Sequence, residues 1–323
     1  MAINTAMRIA LRALSYPANA LEVGKTYRAQ RALSGLTTPL SPLYQLWDQK
    51  IERDGHEIRV RIYSPKEQAD DRLLLFFHGG GWVLESVDTY DSVCRTLARR
   101  TGCRVASVEY ALAPEYVFPV GVEDCYAAAR AVYQHPELFG VQSNQITLIG
   151  DSAGGNLSAA VSLMARDRGE FEIAQQILIY PATYNDHSDT SPFASVRENG
   201  NNYLLTSKRV RDYMELYAGG DPQNMQSPYF APLLADDLTC QPRTLVITAE
   251  FDPLRDEGEA YAYALRDAGN EVMLFRMPDA LHGYFSLSPR FKLVRHTFDM
   301  IDHFLNGEAA TCKKTNEKEI SEP

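Results

Sequence analysis

Six short apolar runs recur along the chain: LLLFF (73–77), VASVEY (105–110), ITLIG (146–150), ILIYPA (177–182), TLVITA (244–249) and VMLFRM (272–277). Each is strand-length and bounded by polar or turn-forming residues, so each predicts a strand covered on both faces. Helical patterns fill the intervals at 88–100, 120–134, 153–167 and 257–268, and a last one runs over 290–305. Apolar strands alternating with helices predict an α/β fold, a mostly parallel sheet with helices on both faces. The segment IRVRIY (58–63) alternates apolar and polar residues instead. That is the pattern of a half-exposed antiparallel edge strand.

Two regions break the rhythm. Residues 1–45 read as helices with polar loops ahead of the first strand. Residues 183–230, rich in Asn, Tyr, Ser and Pro, interrupt the alternation, and so long a connection in a compact domain points to a lid. Both are expected to form one helical cap over the carboxyl edge of the sheet, with the core in 46–182 and 231–306. The tail 307–323 is polar and charged and is expected to be disordered.

Composition narrows the partners. With 323 residues, 45% hydrophobic and 23% charged, the chain suits a soluble globular protein. A net charge of −10 disfavours nucleic acid and anionic membrane surfaces. No apolar run reaches the length of a membrane span, and Arg8 and Arg12 interrupt the N-terminal apolar stretch, so no signal peptide is read there. Five scattered cysteines with no CxxC spacing read as reduced thiols rather than a disulfide framework or zinc site, which points to the cytoplasm. Oligomeric state stays open between monomer and homodimer, and so does a protein partner.

The chemistry sits at the strand ends. Gly150-Asp151-Ser152-Ala153-Gly154 is a G-x-S-x-G sequence between a predicted strand and a predicted helix. That context exposes a serine hydroxyl on a sharp turn and aims the helix N-terminus at developing negative charge. A neutral hydroxyl needs a base, and the base needs an orienting acid. Of seven histidines, His282 in PDALHGYF follows a strand end, while His56, His135, His187, His296 and His303 fall on helices, edges or the cap region. Asp252, just past 244–249 and followed by Pro253, is the expected acid. Asp256 with Glu259 reads as a capping box for the next helix, and Asp279 as a loop-shaping residue. The order Ser152, Asp252, His282 is that of α/β-hydrolases.

The stretch FFHGGGWV (76–83) places three glycines after a strand. Bare backbone amides can approach a tetrahedral oxyanion where a Cβ would block them. Gly79 and Gly80, with Ala153 opposite, are the expected donors, and His78 is expected to be structural.

These residues together resemble the hormone-sensitive-lipase-like family of esterases, especially bacterial acetyl esterases. The likeness runs through His78-Gly79-Gly80-Gly81-Trp82, EYALAPE (109–115), Phe118-Pro119, GDSAGGN (150–156), DPLRDEG (252–258) and His282-Gly283. The resemblance implies an α/β-hydrolase fold, hydrolysis of short-chain carboxylic esters as small-molecule substrates, a helical cap and no cofactor or metal. It also implies that Tyr110 braces the glycine loop through a hydrogen bond. The chain departs at Ala111, where the family often carries arginine. Two other readings stand beside esterase: an amidase or peptidase on the same triad, and a ligand- or protein-binding regulatory protein on a hydrolase scaffold. Natural substrate, acyl-length limit and the cap residues lining the pocket are not legible from spacing.

Overall fold

A computed structural model describes residues 22–35, 45–65 and 71–307. Its strands are β1 (Gln45–Arg53), β2 (His56–Ser64), β3 (Leu73–Phe77), β4 (Arg104–Val108), β5 (Ile146–Asp151), β6 (Gln175–Ile179), β7 (Arg243–Phe251) and β8 (Val272–Leu281). They form one sheet in the order β1-β2-β4-β3-β5-β6-β7-β8. β2 runs antiparallel to both β1 and β4, and the remaining neighbours are parallel. β3 and β5 lie side by side at the centre, so the glycine-rich loop and the serine turn leave the sheet as neighbours.

Every residue of β3 is fully buried, which its unbroken apolar run requires. Leu73, Leu75 and Phe77 face one layer and Leu74 and Phe76 the other. On the first side pack α3 (Val120–Gln134) and α4 (Ala153–Arg168), followed by α7 (Arg255–Asp267) further along the sheet. On the second side lie α2 (Asp91–Thr101) and α8 (Lys292–Leu305), whose Val93, Leu97, Phe298 and Ile301 are buried there. Each such Val, Leu, Ile or Phe contributes about 1.5–3 kcal/mol by leaving water.

The strand at 58–63 is antiparallel but does not form the edge. β1 pairs outside it along its whole length. β1 shows no apolar alternation because most of it is exposed; backbone pairing joins it to β2, and ion pairs cross the ladder, Arg61 donating to Asp48 at 2.8 Å and Lys50 to Glu57 at 2.6 Å.

Residues 183–230 contain α5 (Ala194–Glu198) and α6 (Ser207–Ala218), and α1 (Val23–Gly35) packs beside α6. Thr206 caps α6 by accepting the Arg209 amide at 3.3 Å, and Gly219 ends it in the left-handed region. Arg209 Nη2 reaches Gln30 Oε1 on α1 at 2.9 Å. Tyr217 of α6 lies flat on Trp82 with centroids 4.9 Å apart, seating the helix on the glycine-rich loop. Expectations for residues 1–21, 36–44 and 308–323, including the polar tail, lie outside the described residues. Among the described residues no helix is long and apolar enough to cross a membrane.

Candidate active site

β5 ends at Asp151 and α4 begins at Ala153, leaving Ser152 alone to make the turn. It does so at φ 56° and ψ −120°, a conformation costing an L residue about 1–3 kcal/mol. The turn persists because its neighbours over-determine it: the Ser152 amide donates to Ile179 O at 2.9 Å, and its carbonyl accepts Asn156 N at 3.0 Å. The flanking glycines are a packing condition. A Cβ on Gly150 would run into the Gly154 carbonyl, and one on Gly154 into the carbonyl of Phe77.

Three strand ends then meet. His282, one residue past β8, has Nε2 at 2.9 Å from Ser152 Oγ and Nδ1 at 2.6 Å from Asp252 Oδ2. Asp252 is fully buried just past β7, and its Oδ1 accepts the Leu254 amide at 2.9 Å. Both carboxylate oxygens are therefore engaged, which fixes the side chain behind the imidazole.

The neighbouring acids have other partners. α7 starts at Arg255, so Asp256 lies inside the first turn and no side chain caps the helix. The expected capping box is absent: Asp256 Oδ2 accepts the Ser195 amide at 2.7 Å, and Glu259 takes Thr248 Oγ1 at 2.9 Å and the Arg276 guanidinium.

The glycine-rich loop lies opposite the serine. Tyr110 Oη donates to the His78 carbonyl at 2.8 Å, and the two rings stack at 4.4 Å. His78 is fully buried, which pushes its imidazole pKa down and keeps it neutral. Gly79 departs from the expectation for the oxyanion donors. Its amide donates to Asp151 Oδ1 at 3.1 Å and is turned from the cavity. Gly80, Gly81 and Ala153 line that cavity instead, and among the described residues none of their amides has a protein acceptor.

The cavity, about 290 Å³, is walled by the triad edge and by Trp82, Leu84, Tyr90, Leu204, Leu205, Val210 and Tyr213. Tyr213, from α6, sits directly over Gly81. Tyr217 packs behind it against Trp82 and Phe230, and Tyr203 stacks on Phe251 at 5.0 Å. Only the first of these three tyrosines reaches the cavity, a distinction helical spacing could not supply.

A polar cluster behind the serine was not legible from motifs. The Asp151 Oδ2 accepts two phenols, Tyr90 at 3.0 Å and Tyr180 at 3.1 Å. Burial drives the Asp151 pKa up to about 6, although the phenols and the Gly79 amide pull the other way. The position of Asp151 inside G-x-S-x-G and of Tyr180 at the end of ILIYPA were the available signals.

Comparison with known proteins agrees with this geometry. The α/β-hydrolase-fold family matches residues 74–286. An arylesterase of Saccharolobus solfataricus is 38% identical over 253 residues, 78% of this chain and 80% of that protein. An ethyl acetate hydrolase of Pseudomonas putida is 36% identical, covering 72% and 73% of the two chains. A hyperthermophilic esterase from the archaeon Pyrobaculum calidifontis superposes with a TM-score of 0.84 at 36% identity, over 95% of this chain and 99% of that one. The chain belongs to the hormone-sensitive-lipase-like esterases of the α/β-hydrolase fold. It is a carboxylic ester hydrolase.

At Ala111 the esterase's main chain meets a buried carboxylate. The Ala111 amide donates to Asp124 Oδ2 at 3.0 Å, and the guanidinium beside Asp124 comes from Arg53 on β1, with His56 Nε2 at 2.9 Å. Asn156, last residue of GDSAGGN, accepts from Trp82 Nε1 at 3.2 Å and donates to the carbonyls of Ala182 and Phe230, each at 2.8 Å. It ties the serine helix, the glycine loop and the segment under α6 into one unit.

Proposed function

We propose that the esterase cleaves short-chain acyl esters, acetyl esters among them, through a covalent acyl-serine, with 22–35 and 183–230 forming a cap over the site. The observation that carries this reading is the continuous relay from Ser152 through His282 to buried Asp252, at 2.9 and 2.6 Å, opening onto a small cavity. Ser152 Oγ attacks the ester carbonyl while His282 Nε2 takes its proton and Asp252 holds the imidazole by Nδ1. The amides of Gly80, Gly81 and Ala153 receive the negative oxygen, Gly80 and Gly81 standing where Gly79 and Gly80 were first expected. His282 protonates the departing alcohol, then draws a proton from water as that water attacks the acyl-serine, and returns it to Ser152 Oγ as the acyl–oxygen bond breaks and the acid leaves. Each oxyanion donor is worth about 10²–10³ in kcat.

Short acyl groups are favoured by the cavity of about 290 Å³, at the lower end for small-molecule sites. A relative named an ethyl acetate hydrolase supports the same size class. Among the described residues, free thiols at Cys94, Cys125 and Cys240 support action in a reducing compartment, the cytoplasm.

The test is a p-nitrophenyl ester series from acetate to palmitate on wild type and Ser152→Ala, with p-nitroacetanilide as amide control. The expected result is kcat/KM highest for acyl chains of two to about six carbons, an anilide rate lower by orders of magnitude, and loss of about 10⁵-fold or more on serine removal. A maximum at palmitate overturns the size class, and an active Ser152→Ala protein overturns the mechanism.

A further inference from the structure

Asp151 is a buried carboxylate that the relay does not use. Only 2% of it is exposed, and it precedes the nucleophile in the chain. Three donors converge on it: the Gly79 amide on Oδ1, and the Tyr90 and Tyr180 phenols on Oδ2. These donors come from three different segments, the glycine loop, the turn before α2 and the end of β6. Tyr180 in turn lies against the His282 ring, with centroids 4.7 Å apart.

An ionised carboxylate can accept all three hydrogens at once. A protonated acid, or an amide of the same shape, has donor hydrogen on one of its two heavy atoms. With that hydrogen on the phenol side, at least one phenol must reverse and accept, and the other oxygen accepts from Gly79 as a neutral group, with about half the strength of a charged one. Holding the Gly79 amide inward is what separates its peptide from those of Gly80 and Gly81, which face the cavity.

We infer that ionised Asp151 is a positioning residue for the oxyanion loop: it fixes the Gly79 peptide so that the following two amides meet the substrate oxygen, and its anionic form is the one the active esterase carries. This rests on the proposed assignment of Ser152, His282 and the glycine loop.

Two physical consequences separate this role from a structural one. The first is stability. Desolvation raises the Asp151 pKa from its ordinary 3.8 to about 6, so between those values the folded chain holds a proton that the unfolded chain releases. Stability therefore falls as pH rises from about 4 to 6, and at neutral pH the buried charge opposes folding. A charge kept in place against stability points to a use in function. The second is the pH profile. The titratable groups facing Asp151 are Tyr90, Cys94 on α2, Tyr110 past β4, Tyr180 and His282. Burial pushes the three phenols and the thiol upward, so they stay neutral. The acid limb of kcat/KM then carries the ionisation of Asp151.

The experiment compares wild type, Asp151→Asn and Tyr90→Phe, with Ser152→Ala as a separate arm, in p-nitrophenyl acetate kinetics from pH 4.5 to 9 and in thermal melts at pH 7.5. Asp151→Asn is expected to lower kcat about 10- to 100-fold with KM within about threefold, since it weakens but does not delete oxyanion donors. It is expected to lose one ionisation from the acid limb, and to melt at or above the wild-type temperature. Tyr90→Phe removes one donor to the anion, so its acid limb should move to higher pH relative to its own plateau. Wild-type kcat and limb shape in Asp151→Asn, or a lowered melting temperature with unchanged limb shape, overturns the inference. An active Ser152→Ala protein overturns instead the mechanism on which it rests.

Discussion

Gly81→Ala tests how closely α6 and the glycine loop are fitted. Gly81 has φ +62°, and a Cβ there would lie 2.6–2.9 Å from three ring atoms of Tyr213. Two costs follow. The left-handed backbone with a side chain costs about 1–2 kcal/mol. The ring must also recede by about 0.8 Å to regain a van der Waals separation of 3.4 Å, and Tyr213 is buried on a helix stapled to Trp82 through Tyr217. The loop therefore moves as much as the ring does. A displacement approaching 1 Å in a catalytic loop costs about 10²-fold in rate, or about 2.7 kcal/mol of barrier. Kinetics on p-nitrophenyl acetate should show kcat/KM down about 30- to 100-fold, with a stability loss of about 1–3 kcal/mol by chemical denaturation. Gly55→Ala is the control, because Gly55 has φ +83° with nothing within 4 Å of its would-be Cβ. It should lose about 1 kcal/mol of stability and no activity. Combining Gly81→Ala with Tyr213→Ala should restore part of the rate by removing the collision while the backbone strain remains, so the two effects will not add. Full activity in Gly81→Ala, or strict additivity in the double variant, refutes the fitted contact.

Asp252→Asn should reduce kcat about 10⁴-fold with little change in KM or in the far-ultraviolet spectrum, since it disturbs the tautomer His282 needs; a loss under tenfold would remove Asp252 from the relay. Glu257→Ala should destabilise by about 1–3 kcal/mol in urea. It strands the amides of Thr183 and Tyr184, which Oε1 accepts at 2.7 and 3.2 Å. Arg31→Ala should cost about 1–3 kcal/mol in the same assay. It deletes donors to Val83 O at 2.8 Å and Ala113 O at 2.9 Å, which join α1 to the loop after the glycines.

The central sheet was legible because burial on both faces writes itself as unbroken apolar runs. β3 occupies 73–77 and α3 occupies 120–134, the segments read from pattern alone. β1 escaped because QLWDQKIER is an exposed edge strand held by backbone pairing, which leaves no period-two apolar signal. The capping box at Asp256 failed for a related reason. A carboxylate near a helix start satisfies whichever amide lies nearest in space, and here that is Ser195, 61 positions away in the chain.

At the site, residue type and chain order located side chains but not peptide orientations. Ser152, Asp252 and His282 are read from chemistry that only those side chains perform, and strand ends bring them together at 2.9 and 2.6 Å. The glycine triplet differs, since three identical residues offer three amides and the composition of the loop ranks none of them. What ranks them is an acceptor 72 positions downstream. Asp151 captures the Gly79 hydrogen, and the next two peptides, at φ +110° and +62°, turn toward the cavity. Glycine is needed at 80 and 81 for those angles, whereas at 79 a Cβ would crowd Tyr90 Oη at 2.8 Å and the Asp151 backbone and carboxylate at 3.0 Å. Close packing thus leaves no room for a Cβ at any of the three, and the last two add unusual dihedrals. A substitution at Gly79 should therefore disturb the Asp151 cluster first and the cavity-lining peptides of Gly80 and Gly81 only through it.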